Sequence, residues 1–161
     1  MKYLFLATSA MLAIIAQMIA GNSFFLFDFL DIPLILIGYW ALYRNRVQAL
    51  FVGSLTGILL DAVLGWPLGF NGFGKTLAAF VIGQTSKHFN IEEGWMRFTL
   101  LAGASFVSSL SVFLLLLLAE RSASPVFLEA SLAQAVITAL AGVLVFAAHD
   151  SYQQAHTGKA N

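Results

Sequence analysis

Residues Phe98 to Ala119 run for twenty-two positions without one charged side chain. A helix crosses a hydrocarbon core of about 30 Å with about 20 mostly apolar residues, so this segment alone is long enough to span a bilayer. It has company. Tyr3 to Phe27 is also free of charge, and the 161-residue chain is 60% hydrophobic and only 10% charged. A small soluble domain leaves much of its surface in water and carries about 25% charged residues to cover it. Eight basic and eight acidic side chains cannot do so. The chain reads as an integral membrane protein, with residues 1–161 forming a single multi-span transmembrane domain.

The same composition removes other classes. A net charge of zero argues against a nucleic-acid binder working through a broad basic face. Disordered chains are poor in apolar residues, and this one is rich in them. With no cysteine there is no disulfide framework, thiol nucleophile or thiolate metal site.

Six spans are expected. The first is Leu4–Ala20, ended by Gly21, Asn22 and Ser23; its length and the spans that follow argue against a cleaved signal peptide. The second is the hardest to place. Ile32 to Tyr43 offers only twelve uncharged residues, too few to cross, and extending it back to Phe24 takes in Asp28, Asp31 and Pro33. Phe24 to Phe27 with those acids is read as an interfacial stretch before a short, proline-started helix. Tyr39, Trp40 and Tyr43 beside Arg44 and Arg46 resemble an aromatic belt with a basic flank. Span three is Val47–Leu64, span four Gly69–Ser86, span five Phe98–Ala119 and span six Ala130–Ala148. The expected architecture is an all-α bundle of about six transmembrane helices, with five if the second does not cross. Lys2, Arg44, Arg46, Lys87, Arg97 and Lys159 fall on one side and Lys75 and Arg121 on the other, which predicts cytoplasmic N- and C-termini.

The most informative segment is Val52 to Gly65. Gly53, Gly57, Asp61 and Gly65 recur every fourth residue and so share one slowly drifting stripe. Three of the four lack a side chain, which makes a shallow groove for another helix backbone, as at small-xxx-small contacts. The groove packs within the bundle, receives a partner's helix or holds a substrate. Asp61 stands in it, where a charge costs roughly 2.5–3.5 kcal/mol and needs a partner, a cavity or a cap. Lys75 is the nearest base, so a buried Asp61–Lys75 ion pair is expected, with a carboxylate cap on the following turn as the structural alternative and proton or ion handling by the two residues as the functional one. That turn, Gly65 to Gly72, is dense in breakers and contains Pro67, Gly69 and Asn71.

Catalytic and cofactor patterns are weak. Asp28, Asp31 and Asp61 lack the Gly-x-Gly-Asp context of intramembrane aspartyl proteases. Ser105, Ser108, Ser109 and Ser111 have no histidine nearby in sequence and suit helix–helix contacts better than nucleophilic chemistry. His149, Asp150 and His156 lack metal-ligand spacing, and the glycines before Lys75 do not make a phosphate loop. No catalytic residue, cofactor or metal is expected.

The stretch Gly53 to Asn71, with its Leu-Leu-Asp run at 59–61 and Pro-Leu-Gly-Phe-Asn at 67–71, resembles the signature of the bacterial rod-shape-determining protein MreD family. Asp31-Ile-Pro33 leading to Tyr39-Trp40 and a small basic loop matches as well, so the likeness covers roughly residues 31–86. It implies a non-enzymatic inner-membrane scaffold of the cell-elongation machinery. Its partners would be the single-span MreC and, indirectly, the actin-like MreB, the glycosyltransferase RodA and an elongation penicillin-binding protein. It also implies a fold similar to the substrate-binding subunits of energy-coupling-factor vitamin transporters, and such a subunit is the alternative reading. On the scaffold reading, Gly53, Gly57, Asp61, Gly65, Pro67, Gly69 and Asn71 are the candidate packing and partner-docking residues.

Overall fold

A computed structural model describes residues 2–21, 29–88, 91, 93–119 and 127–157. The interfacial reading of Phe24–Phe27 with Asp28 lies outside them, as do Arg121 and Lys159 of the charge count. The described residues form six helices and no strand: α1 Lys2–Gly21, α2 Ile32–Tyr43, α3 Arg46–Leu64, α4 Phe70–His88, α5 Gly94–Leu118 and α6 Phe127–Thr157. Four of them, α1, α3, α5 and α6, are long and apolar enough to cross a membrane. The architecture is an all-helical, multi-pass membrane bundle.

The shortest helix is the centre of the molecule. At about 1.5 Å per residue, the twelve residues of α2 reach only about 18 Å, well short of a bilayer. Yet α2 packs against all five other helices. Seven of its twelve residues are buried, among them Leu34, Ile37, Trp40 and Ala41. A helix apolar all round belongs where protein surrounds it, and that resolves the difficulty of span two. Its sides are covered by the other helices and its N-terminal end, at Asp31, is buried inside the bundle, so it has no need to reach both interfaces. Around it gather Ala49 and Val52 of α3, Ala78, Ala79 and Ile82 of α4, Leu100, Leu101 and Ala104 of α5, and Ala139 and Phe146 of α6.

Helix ends follow the local chemistry. Asp31 caps α2 by accepting from Leu34 N at 3.1 Å, with proline in the first turn, where its missing N–H has no helical role. Asn45 caps α3 by accepting from Val47 N at 2.9 Å. Helix α6 continues nine residues beyond the expected limit at Ala148. The extension is held from the side: Asp150 Oδ2 lies 2.6 Å from Arg97 Nη1, and Asp150 Oδ1 accepts from the Tyr43 hydroxyl at 2.9 Å. These contacts join α2, α5 and α6 at the end of the bundle where α2 stops and α5 starts. Hydropathy gave no sign of them, because the partners are far apart in sequence.

Candidate functional site

The stripe on α3 meets α4, its sequence neighbour. A Cβ on Gly53 would lie 2.8 Å from the Lys75 carbonyl oxygen, and one on Gly57 would collide with Asn71 O and Gly72 Cα. Both obstacles are backbone and cannot rotate away. The groove predicted for a helix is therefore filled by this bundle's own α4, which leaves no room there for a partner. Helix α4 repeats the device on its other side, where a Cβ on Gly74 would come 2.8 Å from Ser108 O of α5. Ser105, Ser108 and Ser111 are buried on α5, in keeping with small residues at close helix contacts.

Asp61 is fully buried and organises the turn from α3 to α4. Its main-chain carbonyl accepts from Trp66 N at 2.9 Å, the six-to-one bond of a Schellman turn closed by Gly65 at φ 66°. Its carboxylate opens the next helix. Oδ2 accepts from Gly69 N at 2.8 Å, both oxygens accept from Asn71 N at 3.1 Å, and Oδ1 accepts from Asn71 Nδ2 at 2.8 Å. The first turn of α4 has no acidic residue of its own. A carboxylate donated by α3 satisfies those orphan N–H groups and meets the positive end of the helix dipole. Gly69, at φ 102°, supplies the backbone path into the helix, and Pro67 O accepts from Phe70 N at 3.4 Å. The turn itself faces outward: Leu68 is 70% exposed and Trp66 37%.

The expected Asp61–Lys75 pair does not form. Lys75 Nζ lies 2.5 Å from Asp31 Oδ2, with the two side chains 2% and 6% exposed. The reason is competition for Asp61, whose oxygens are taken by the turn donors, and geometry, since Lys75 lies a full turn deeper along α4 where it faces the start of α2. Lys75 thus leaves the tally of loop charges used for orientation. The residues around the pair come from every side. Thr138 of α6 accepts from Asp31 N at 3.0 Å, Gln134 Nε2 approaches Asp31 Oδ2 at 3.4 Å, and Gln17 Oε1 of α1 accepts from Ile32 N at 2.9 Å. The sequence offered Asp31 as a loop acid, a weak protease candidate and part of the family likeness, not as the partner of Lys75, and did not single out Gln17, Gln134 or Thr138. Polar residues inside otherwise apolar spans were the available signal, because each needs a partner there.

The pair lines a cavity of about 400 Å³. Its other walls include Gln17 and Met18 of α1, Leu60 and Val63 of α3, Trp66 of the turn, Asn71 of α4, Ser108 and Ser109 of α5 and Gln134 of α6. Among the described residues no group of three or more metal-ligating side chains occurs, and His149 and Asp150 belong to the α2–α5–α6 contact.

No curated protein and no solved structure matches the chain. The family model for the rod shape-determining protein MreD matches residues 1–150, nearly the whole chain, including the last two helices, where the sequence motif was silent. By that match the chain belongs to the MreD family of rod-shape-determining membrane proteins.

Proposed function

We propose that this protein is a non-enzymatic scaffold of the bacterial elongation complex in the cytoplasmic membrane. Membership of the MreD family over residues 1–150 carries the reading. On it, the bundle binds the single-span protein MreC and, through it, MreB, RodA and an elongation penicillin-binding protein, and so supports lateral-wall peptidoglycan synthesis. Both termini face the cytoplasm, with Arg44, Arg46, Lys87 and Arg97 at that side.

We put the docking contact at the far end of the stripe. Gly53 and Gly57 are spent on α4, whereas a Cβ on Gly65 or Gly69 meets nothing within 4 Å. The turn between them presents Trp66 and Leu68 outward from a backbone fixed by Asp61. A rigid turn with an exposed aromatic and aliphatic pair is a suitable contact for a helix entering the membrane at that level. Co-purification tests this: Leu68→Glu should abolish recovery of the single-span partner while the protein still elutes as a monodisperse bundle. Undiminished recovery would remove the turn from the interface. Depletion of the protein should round the cells, and normal rods after complete depletion would overturn the scaffold reading.

A further inference from the structure

We infer that the cavity around Lys75 and Asp31 is a binding site for a net-neutral zwitterionic phospholipid headgroup, entered sideways from the bilayer. The inference is independent of the scaffold reading. Three observations carry it.

The first is unused donor capacity on a buried cation. An ammonium has three N–H donors. Lys75 is 2% exposed, lines the cavity and spends one donor, on Asp31 Oδ2, among the described residues. A buried donor without an acceptor is costly, and an occupant bearing phosphoryl oxygens would supply the missing ones.

The second is charge balance. Among the described residues, the charged groups lining the cavity are one ammonium and one carboxylate, bound to each other. An occupant with net charge would enter uncompensated, while a zwitterion matches the site. Its phosphoryl oxygens face Lys75 and the hydroxyls of Ser108 and Ser109. Its ammonium faces Asp31 and the amide oxygen of Gln134. Apolar walls from Met18, Leu60 and Val63 take the start of the acyl region.

The third is the way in. Helix α1 packs on α2 and α3 but makes no close approach to α4, α5 or α6 among the described residues. The cavity has walls from α1 on one side and from α5 and α6 on the other, and since these walls make no close approach among the described residues, the proposed entry lies between them. These helices are membrane-spanning, and a seam between them faces lipid. That favours a membrane source over a dissolved one.

The test uses the full-length protein reconstituted in an equimolar mixture of phosphatidylethanolamine and phosphatidylglycerol. After mild detergent extraction, retained lipids are counted by native mass spectrometry. The expected result is about tenfold enrichment of phosphatidylethanolamine, since an unpaired anion in the cavity is penalised. Ser109→Phe, which fills the cavity from its wall, should bring the ratio back to that of the mixture. If that variant does not give a monodisperse bundle, Gln134→Leu should lower the enrichment several-fold. Soluble glycerophosphoethanolamine at millimolar concentration should not displace the lipid; displacement would assign the site to a dissolved zwitterion and overturn the membrane source. Equal retention of the two lipids, or an enrichment that survives both substitutions, would overturn the site.

Discussion

Lys75 and Asp31, forty-four residues apart in sequence, meet at 2.5 Å inside the bundle and join the start of the central helix α2 to α4. Removing one partner leaves the other buried and unpaired, which costs about 3–5 kcal/mol, whereas replacing both with apolar residues of similar volume is close to neutral. Lys75→Met alone should therefore abolish most accumulation of folded protein. The double variant Asp31→Leu, Lys75→Met should recover it, less the loss of the Asp31 cap, worth about 1 kcal/mol. Fluorescence-detected size exclusion after heating compares them. A single and a double variant that fail alike would show that the pair's charges do not set the cost.

The glycine stripe makes a positional prediction. Gly57→Ala drives a methyl group into the Asn71–Gly72 backbone and should destabilise by about 1–3 kcal/mol, as overpacking does. Gly103→Ala meets nothing within 4 Å and should stabilise by about 1 kcal/mol through helix propensity. Opposite shifts in thermal midpoint check this. A larger residue at Gly57 is thus expected to unfold the α3–α4 contact, and loss of a partner would follow from that.

Asp61 divides into two contributions. Its main-chain bond to Trp66 survives any substitution, but its carboxylate bonds to Gly69 and Asn71 do not. Asp61→Ala should cost about 2 kcal/mol, the upper range for a lost cap. Asp61→Asn keeps one acceptor oxygen and should cost about half as much. Equal losses in a denaturant titration would argue that the charge on the carboxylate supplies the whole effect.

At the opposite end of the bundle, Arg97 and Asp150 invite a double-mutant cycle. The pair is partly shielded, at 12% and 30% exposed, so a coupling of about 1 kcal/mol is expected. Additive losses in Arg97→Ala, Asp150→Ala and the double variant would mean that the contact contributes nothing.

These residues also mark what could be read in advance. The limits of α3 and the turn after it were legible, because Gly65, Pro67 and Gly69 are strong local punctuation and the turn is built from neighbours. The run Ile32–Tyr43 was legible as a helix but not as the centre of the fold. Length against bilayer thickness describes a helix facing lipid, and α2 faces protein. The end of α6 was missed because hydropathy stops at His149, while the helix goes on to meet Tyr43 and Arg97. The sequence points Lys75 to the wrong acid for a similar reason. Proximity in sequence favoured Asp61, and only the packing of α2 against α4 brings Asp31 within reach.

The pairing of Lys75 with Asp31 bears on how the chain is made. Helix α4 is absent from the helices long and apolar enough to cross by themselves, and it carries a buried ammonium in its second turn. A segment of that kind partitions poorly into lipid alone. Its counter-charge sits on a helix translated earlier, and the same two helices are locked to α3, whose glycines admit the α4 backbone. Entry of α4 into the bilayer is therefore expected to depend on α2 and α3 already lying side by side, with the counter-charge and the glycine groove in place to receive it.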